Sequence, residues 1–173
     1  EAAISQVHAI ATVHGLQGED ANEAVCLGES ARSICISVSS LAQRPVLFHI
    51  EHEDNSYQPM QIDSIEAVPV ALVLNELILN AVKHSPDDGT PLTVSLSTDG
   101  TNALLVVRNA LATTPNFNID TGDGLGTGLR LVRSLLPDKG SQLEYELNTE
   151  HFMLTRLKLT HPVVMAARQN ESD

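Results

Sequence analysis

Apolar side chains recur at Ile4, Val7, Ile10, Ala11 and Leu16, the three- and four-residue spacing of a helix over residues 2–16. Gly15, Gly18 and Asp20 break the pattern. A second helix is predicted from Asn22 to about Ala42, with Val25, Ile34, Val38 and Leu41 among its apolar positions. Gln43-Arg44-Pro45 ends it, because the residue before a proline resists the helical region. From Val46 to His52 the chain alternates apolar and polar, as a strand does. Asn55 to Gln61 is polar and reads as a turn. A third helix starts near Pro69, where a missing N–H costs little, and runs to about His84 before Ser85-Pro86-Asp87-Asp88-Gly89 stops it. Strands are predicted at Leu92–Ser97 and Ala103–Arg108, joined by a turn at Thr98-Asp99-Gly100-Thr101-Asn102. A polar loop from Asn109 to Asp123 follows, and a loop of about fifteen residues inside a compact domain is usually functional or mobile. A glycine-rich turn then leads into a helix from about Leu129 to Leu136. Strands at Gln142–Leu147 and Phe152–Leu159 close the pattern, and residues 161–173 are expected to be a frayed tail.

Strands and helices in this mixed order, with no internal repeat, predict an α+β fold. Its form would be a two-layer sandwich, a mixed and largely antiparallel sheet covered on one face by helices. With aromatics at 3% and no Trp, the core must come from Leu, Val, Ile and Ala. No apolar run reaches the roughly 18–20 residues that span a bilayer. The formal charge of −12, from 22 acidic and 10 basic residues, argues against nucleic acid or an anionic membrane as partner, since both need clustered Lys and Arg. Cys26 and Cys35 sit nine residues apart on the predicted second helix, which puts them on different sides of it. They read as reduced residues of a cytoplasmic protein. The first residues read as the middle of a helix, so the chain is expected to be a piece of a longer protein.

Chemistry concentrates in the third helix, P-V-A-L-V-L-N-E-L-I-L-N-A-V-K-H. It carries too many apolar residues for one face, so it is expected to be deeply buried, yet Asn75, Glu76, Asn80 and Lys83 interrupt it. A buried carboxylate needs a partner, a metal or water. Glu76, Asn80 and Lys83 are spaced to share one stripe. A carboxylate, an amide oxygen and an ammonium so arranged suit a magnesium–phosphate assembly, with Asn80 as a hard oxygen ligand, Glu76 as a group that orients water or accepts a proton, and Lys83 neutralising phosphate. The second feature is G-D-G-L-G-T-G-L-R-L-V, from Gly122 to Val132. Glycines before a helix let backbone N–H groups approach a polyphosphate. This is neither a Rossmann fingerprint, since it follows a polar loop rather than a strand, nor a Walker loop, since no Lys follows the last glycine.

Taken together, N-E-L-I-L-N-A-V-K-H and, some forty residues later, G-L-G-T-G-L-R-L-V resemble the asparagine box and second glycine box of the sensor histidine kinase ATPase domain. That domain belongs to the superfamily it shares with gyrase, mismatch-repair and chaperone ATPases, and the resemblance covers about residues 22 to 160. It implies ATP and Mg²⁺ as cofactors and transfer of the γ-phosphoryl to a histidine. In the family the residue matching Asn80 holds Mg²⁺, the one matching Glu76 assists transfer, and those matching Lys83 and His84 lie near the phosphates. The stretch Gly124, Leu125, Gly126, Thr127, Gly128 and Leu129 would cradle them, under a mobile lid from about Leu111 to Asp123. Q-V-H-A-I-A-T-V-H is similar to the end of the dimerisation domain of one kinase subfamily, whose pattern resembles R-I-x-A-I-A-x-V-H, so that Gln6 replaces an Arg. The implied domains are a dimerisation and phosphoacceptor remnant at 1–20, an ATP-binding unit at 21–160 and the tail. The implied partners are ATP or ADP, the acceptor helix of a homodimeric parent kinase, and a response regulator. Neither His8 nor His14 has the setting of a phosphorylated histidine, and His49 and His52 would point to opposite faces of a strand.

One departure from the family stands out. Its first glycine box, D-x-G-x-G after a strand, should begin near position 109, but here L-L-V-V-R leads into Asn109-Ala110-Leu111-Ala112. Asn109 takes the place of the adenine-reading Asp and the glycines are missing. An amide oxygen still accepts a hydrogen bond from an adenine amino group, without the charge that strengthens it. Two alternatives stand beside the kinase: a degenerate nucleotide- or partner-binding module, which Asn109 raises, and a serine kinase of the anti-sigma-factor type, which shares the fold.

Overall fold

The computed structural model describes residues 2–18, 20, 23–51, 57–113, 126–148 and 150–167. The elements are α1 (Ala2–Gln17), β1 (Val25–Cys26), α2 (Leu27–Ala42), β2 (Val46–Glu51), β3 (Met60–Ile62), α3 (Ala67–His84), β4 (Leu92–Thr98), β5 (Ala103–Ala110), α4 (Thr127–Leu135), β6 (Ser141–Leu147), β7 (Phe152–Leu159) and β8 (Val164–Ala166). The main sheet has the order β2-β4-β5-β7-β6. Its β2–β4 pairing is parallel and the other three are antiparallel. Parallel neighbours require a long crossover, and the segment between β2 and β4 contains α3. A second sheet, β1-β3-β8, is small and antiparallel. The expected α+β sandwich, with a mixed and largely antiparallel sheet, is the observed architecture.

Alternation places the core. In β5 the buried positions are Ala103, Leu105, Val107 and Asn109, and in β7 they are Met153, Thr155, Leu157 and Leu159. The helices close over these residues, and a single cluster joins Val13 of α1, Ile34 and Val38 of α2, and Leu74 and Ile78 of α3 to Val94, Leu105 and Leu157 of the sheet. By length and composition α3 is able to cross a membrane, contrary to the expectation that no segment would be, but 56% of it is buried inside the fold. It is the central helix of the core.

Three expectations need correction. The second helix begins at Leu27, not Asn22, because Val25 and Cys26 pair with Ile62 and Gln61 of β3. Cys26 thus caps the helix rather than lying on it, while Cys35 is buried within it. The turn expected over 55–61 overlaps β3, whose Met60 and Ile62 are buried. The tail expected from residue 161 is ordered as far as 167. There β8 pairs with β3, and Val163 and Val164 are fully buried, so these two valines supply the apolar area that holds the segment down. Residues 168–173 lie outside the described residues.

Candidate active site

The cleft is built around α3. This helix is buried on most of its circumference, and the burial reaches Asn75, 1% exposed, and Glu76, 4% exposed. Asn80, one turn on, is half-buried, and Lys83 and His84 emerge at the last turn, where helix carbonyls favour cations. That last turn is fixed by Arg44, which follows α2. Its guanidinium donates to the carbonyls of Val82 at 3.1 Å, Ser85 at 3.2 Å and Pro86. The Ser85 hydroxyl donates to Ala81 O at 2.7 Å. These bonds satisfy carbonyls that a helix C-terminus otherwise leaves open.

Helix α4 lies against α3. Gly126 precedes it as N-cap in extended backbone, with no side-chain cap, so the first N–H groups of α4 have no side-chain acceptor at that cap. The approach is closest at Gly128. A Cβ there would stand 2.6 Å from Glu76 Oε2 and 3.5 and 3.6 Å from the Asn80 amide atoms. A glycine is therefore what lets the second motif reach the stripe of the first.

The end of the sheet supplies the cleft floor. Asn109 of β5, Met153 and Thr155 of β7 and Tyr145 of β6 line it, and Leu41, Ala42 and Gln43 at the end of α2 form a further wall. The volume enclosed is about 980 Å³. Asn109 is 2% exposed and lies within β5, opposite Met153, rather than at the start of a loop. Its Nδ2 donates to Ala110 O at 2.9 Å. Past the strand, the Leu111 N–H donates to His151 O at 3.0 Å and the Ala112 N–H to His84 O at 3.1 Å. The first two residues of the expected lid are thus tied to the cleft rim, and the lid from residue 114 onward lies outside the described residues.

Burial, and then the neighbouring Lys83 ammonium, hold the His84 imidazole below its ordinary pKa, so it is neutral at pH 7. Burial alone pushes the Tyr145 phenol up.

Of the residues expected from sequence, Glu76, Asn80, Lys83, His84, Asn109, Gly126, Thr127, Gly128 and Leu129 all line this one cleft. Gly124 and Leu125 lie outside the described residues, as does Gly122. His8, His14 and His49 are exposed and line no part of it. Sequence reasoning missed Tyr145, Met153 and Thr155, since strand periodicity does not say which end of a sheet meets the cleft. It also missed two contacts from α1: the Ser5 hydroxyl donates to Asn75 Oδ1 at 2.6 Å, and Gln6 Nε2–H donates to Glu76 Oε1 at 2.9 Å.

The arrangement fits a magnesium nucleotide on two observations. The Asn80 Nδ2 is buried with no hydrogen-bond partner among the described residues, an open donor for a phosphate oxygen on the same amide whose Oδ1 is the metal-ligating type of atom. The Gly128 cradle would be filled by any side chain.

No family model matches the chain, and no curated protein sequence matches it significantly. Solved structures do. The histidine kinase domain of the Erythrobacter litoralis EL346 blue-light activated histidine kinase superposes with a TM-score of 0.69 at 16% identity, over 92% of this chain and 75% of that one. The catalytic domain of histidine kinase ThkA gives 0.61 at 16%, over 80% and 95%. The mycobacterial sensor histidine kinase MprB gives 0.58 at 20%, over 80% and 97%. The fold is that of a histidine kinase catalytic domain. The chain spans 53% of the longer EL346 structure. In this histidine kinase fold the first sequence motif lies on α3, and Gly126 to Val132 of the second lie at the N-cap and along α4, meeting α3 at Gly128.

Proposed function

We propose that the chain is the ATP-binding catalytic domain of a sensor histidine kinase, passing the γ-phosphoryl of ATP to a histidine outside residues 1–173. The observation that carries this reading is the convergence of the α3 stripe and the α4 N-terminus at Gly128, on a cleft of nucleotide size. ATP supplies the reactive phosphoryl group, and the Asn80 amide oxygen is a suitable ligand for the accompanying Mg²⁺. The N–H groups of Thr127, Gly128 and Leu129 offer donors to a polyphosphate, favoured by the helix dipole. Lys83 adds positive charge at the rim, and neutral His84 adds a ring donor. At the buried end Asn109 keeps its Oδ1 as acceptor for an adenine amino group, beside the apolar Met153. The Glu76 carboxylate accepts the proton released by the attacking imidazole. Helix α1 is the end of the helical region that dimerises and carries the acceptor in the parent kinase, and a response regulator receives the phosphoryl group from there.

Titration with Mg-ATP and Mg-ADP tests the binding, and a complete kinase containing this domain tests the chemistry. Asn80→Ala is expected to abolish the magnesium-dependent part of the affinity. Glu76→Gln is expected to keep most of the affinity and to slow formation of acid-labile phosphohistidine by about 10²–10⁴-fold, the usual contribution of a positioned base. Wild-type behaviour of both variants would mean that the site is wrong. The neutral, buried Asn109 favours a second reading, a nucleotide sensor without transfer. Mg-ATP binding with no phosphohistidine in the complete protein would select it.

A further inference from the structure

Two neighbouring residues of α1 meet two neighbouring residues of α3. Ser5 and Asn75, each 1% exposed, are joined by a 2.6 Å hydrogen bond. This bond sets the register of the two helices at that point. Ala9 and Val13, buried one and two turns further along the same face, hold α1 in place. The register brings the Gln6 amide to Glu76 Oε1 at 2.9 Å. Gln6 is the one side-chain donor to Glu76 among the described residues, and no cation forms an ion pair with it there. The other carboxylate oxygen, Oε2, is the one that lies against Gly128 at the head of α4.

We propose that Gln6 is a positioning residue for Glu76. Its amide holds Oε1 and so presents Oε2 to the cleft between α3 and α4. This rests on the reading of Glu76 as the proton acceptor given above. The chemistry is that of a buried carboxylate with two inequivalent oxygens. One must be satisfied by the protein, because a buried acceptor without a donor is costly. The other must be left for the reacting partner, and a rotation of the carboxylate that moved it by about 1 Å would cost up to 10²-fold in rate. A neutral amide does this without introducing a cation, which would lower the basicity the carboxylate needs as a proton acceptor. Because the donor comes from α1, and not from the helices that form the cleft, a displacement of α1 along α3 removes it while leaving the other cleft walls in place.

The test uses Gln6→Met, which keeps the length and apolar stem of the side chain and removes the donor. In the complete kinase, the phosphoryl-transfer rate at saturating Mg-ATP should fall by about tenfold to 10²-fold, with nucleotide affinity changed by less than about twofold. In the ligand-free chain, the denaturation midpoints of Gln6→Met, Glu76→Met and the double variant should be non-additive, with the cost of Gln6→Met largely vanishing once the carboxylate is gone. Additive midpoints, or an unchanged transfer rate in a reactive kinase, would overturn the positioning role alone. A wild-type kinase that binds Mg-ATP but forms no phosphohistidine would overturn the reading of Glu76 and the positioning role with it.

Discussion

Gly128 shows what a single missing side chain does for this site. Alanine is the better helix former by about 1 kcal/mol, so at an ordinary first-turn position Gly128→Ala would stabilise the chain. Here the added carbon meets the Glu76 carboxylate at 2.6 Å, and either the carboxylate or α4 must move. The expected outcome is a thermal midpoint near that of the wild type with weakened Mg-ATP binding and slower transfer, read by thermal unfolding and titration side by side. Asn109 gives the complementary case. Asn109→Asp would replace a neutral acceptor by a charged one, worth roughly 1.5–3 kcal/mol against about 1, before the cost of burying the charge. Where guanine presents an oxygen the carboxylate is repelled, so the ATP-to-GTP affinity ratio should rise. An unchanged ratio in paired titrations would show that residue 109 does not face the base. Cys35 is the third case, since burial pushes its thiol up to about 12. At pH 8 only Cys26, partly exposed, should react with a maleimide until the chain is unfolded, a result mass spectrometry reads directly. At this scale Glu76, Asn80 and Gly128 were legible because polar residues in an apolar helix and glycines before a helix are exceptions to local rules. Tyr145 and Thr155 break no rule in their strands, and Gln6 is an ordinary polar residue on a helix, so nothing marked them.

Among elements, what could be read in the sequence follows length. The helices α1, α2, α3 and α4 and the five strands of the main sheet are long enough to carry a period, and their ends match the expected ranges to within two residues, except that α2 starts at Leu27 and not Asn22. The strands β1, β3 and β8 have two or three residues. No alternation can be recognised over so few positions, and what makes them strands is one another. The small sheet they form is nonetheless structural. A chain ending at Thr160 would lose Val163 and Val164 and uncover Met60 and Ile62. Each fully buried valine contributes about 1.5–3 kcal/mol, an upper figure because unfolded chains are already partly compact. Such a truncation should lower the urea midpoint markedly, and a midpoint within error of the full chain would mean β8 adds nothing. Arg44 acts between elements in the same way. It closes the C-terminus of α3 from the end of α2, so Arg44→Ala should cost about 1–2 kcal/mol and loosen the turn that carries Lys83 and His84. Faster amide exchange at Val82–Ser85 than at Val73–Leu77 would report it.

For the whole molecule, the breaks at Gly15, Gly18 and Asp20 suggested a boundary between a helical appendage and the nucleotide-binding unit. Gly18 does follow the end of a helix, although Gly15 lies within it, but a local break says nothing about where that helix lies. The structure lays α1 back across α3 and α2, and Val13, fully buried, joins the same core cluster as the strands. If the core is shared, α1 cannot leave without cost to the rest. Val13 alone should contribute about 1.5–3 kcal/mol, and Ala9 and the Ser5–Asn75 hydrogen bond add to it, a sum comparable to a sizeable part of the 5–15 kcal/mol that holds a domain together. The chain should therefore unfold in one cooperative transition. Native-state hydrogen exchange can check this, since segments that open independently exchange at a lower free energy than the global one. The amides of Ala9 to Val13 should share the protection of Leu105 to Val107 and lose it at the same denaturant concentration. Earlier exchange in α1 would mean that the helix opens on its own, and the donor to Glu76 would then be present for only part of the time. Equal protection would mean that α1 opens only with the rest of the core, so that the donor to Glu76 is kept for as long as the fold is.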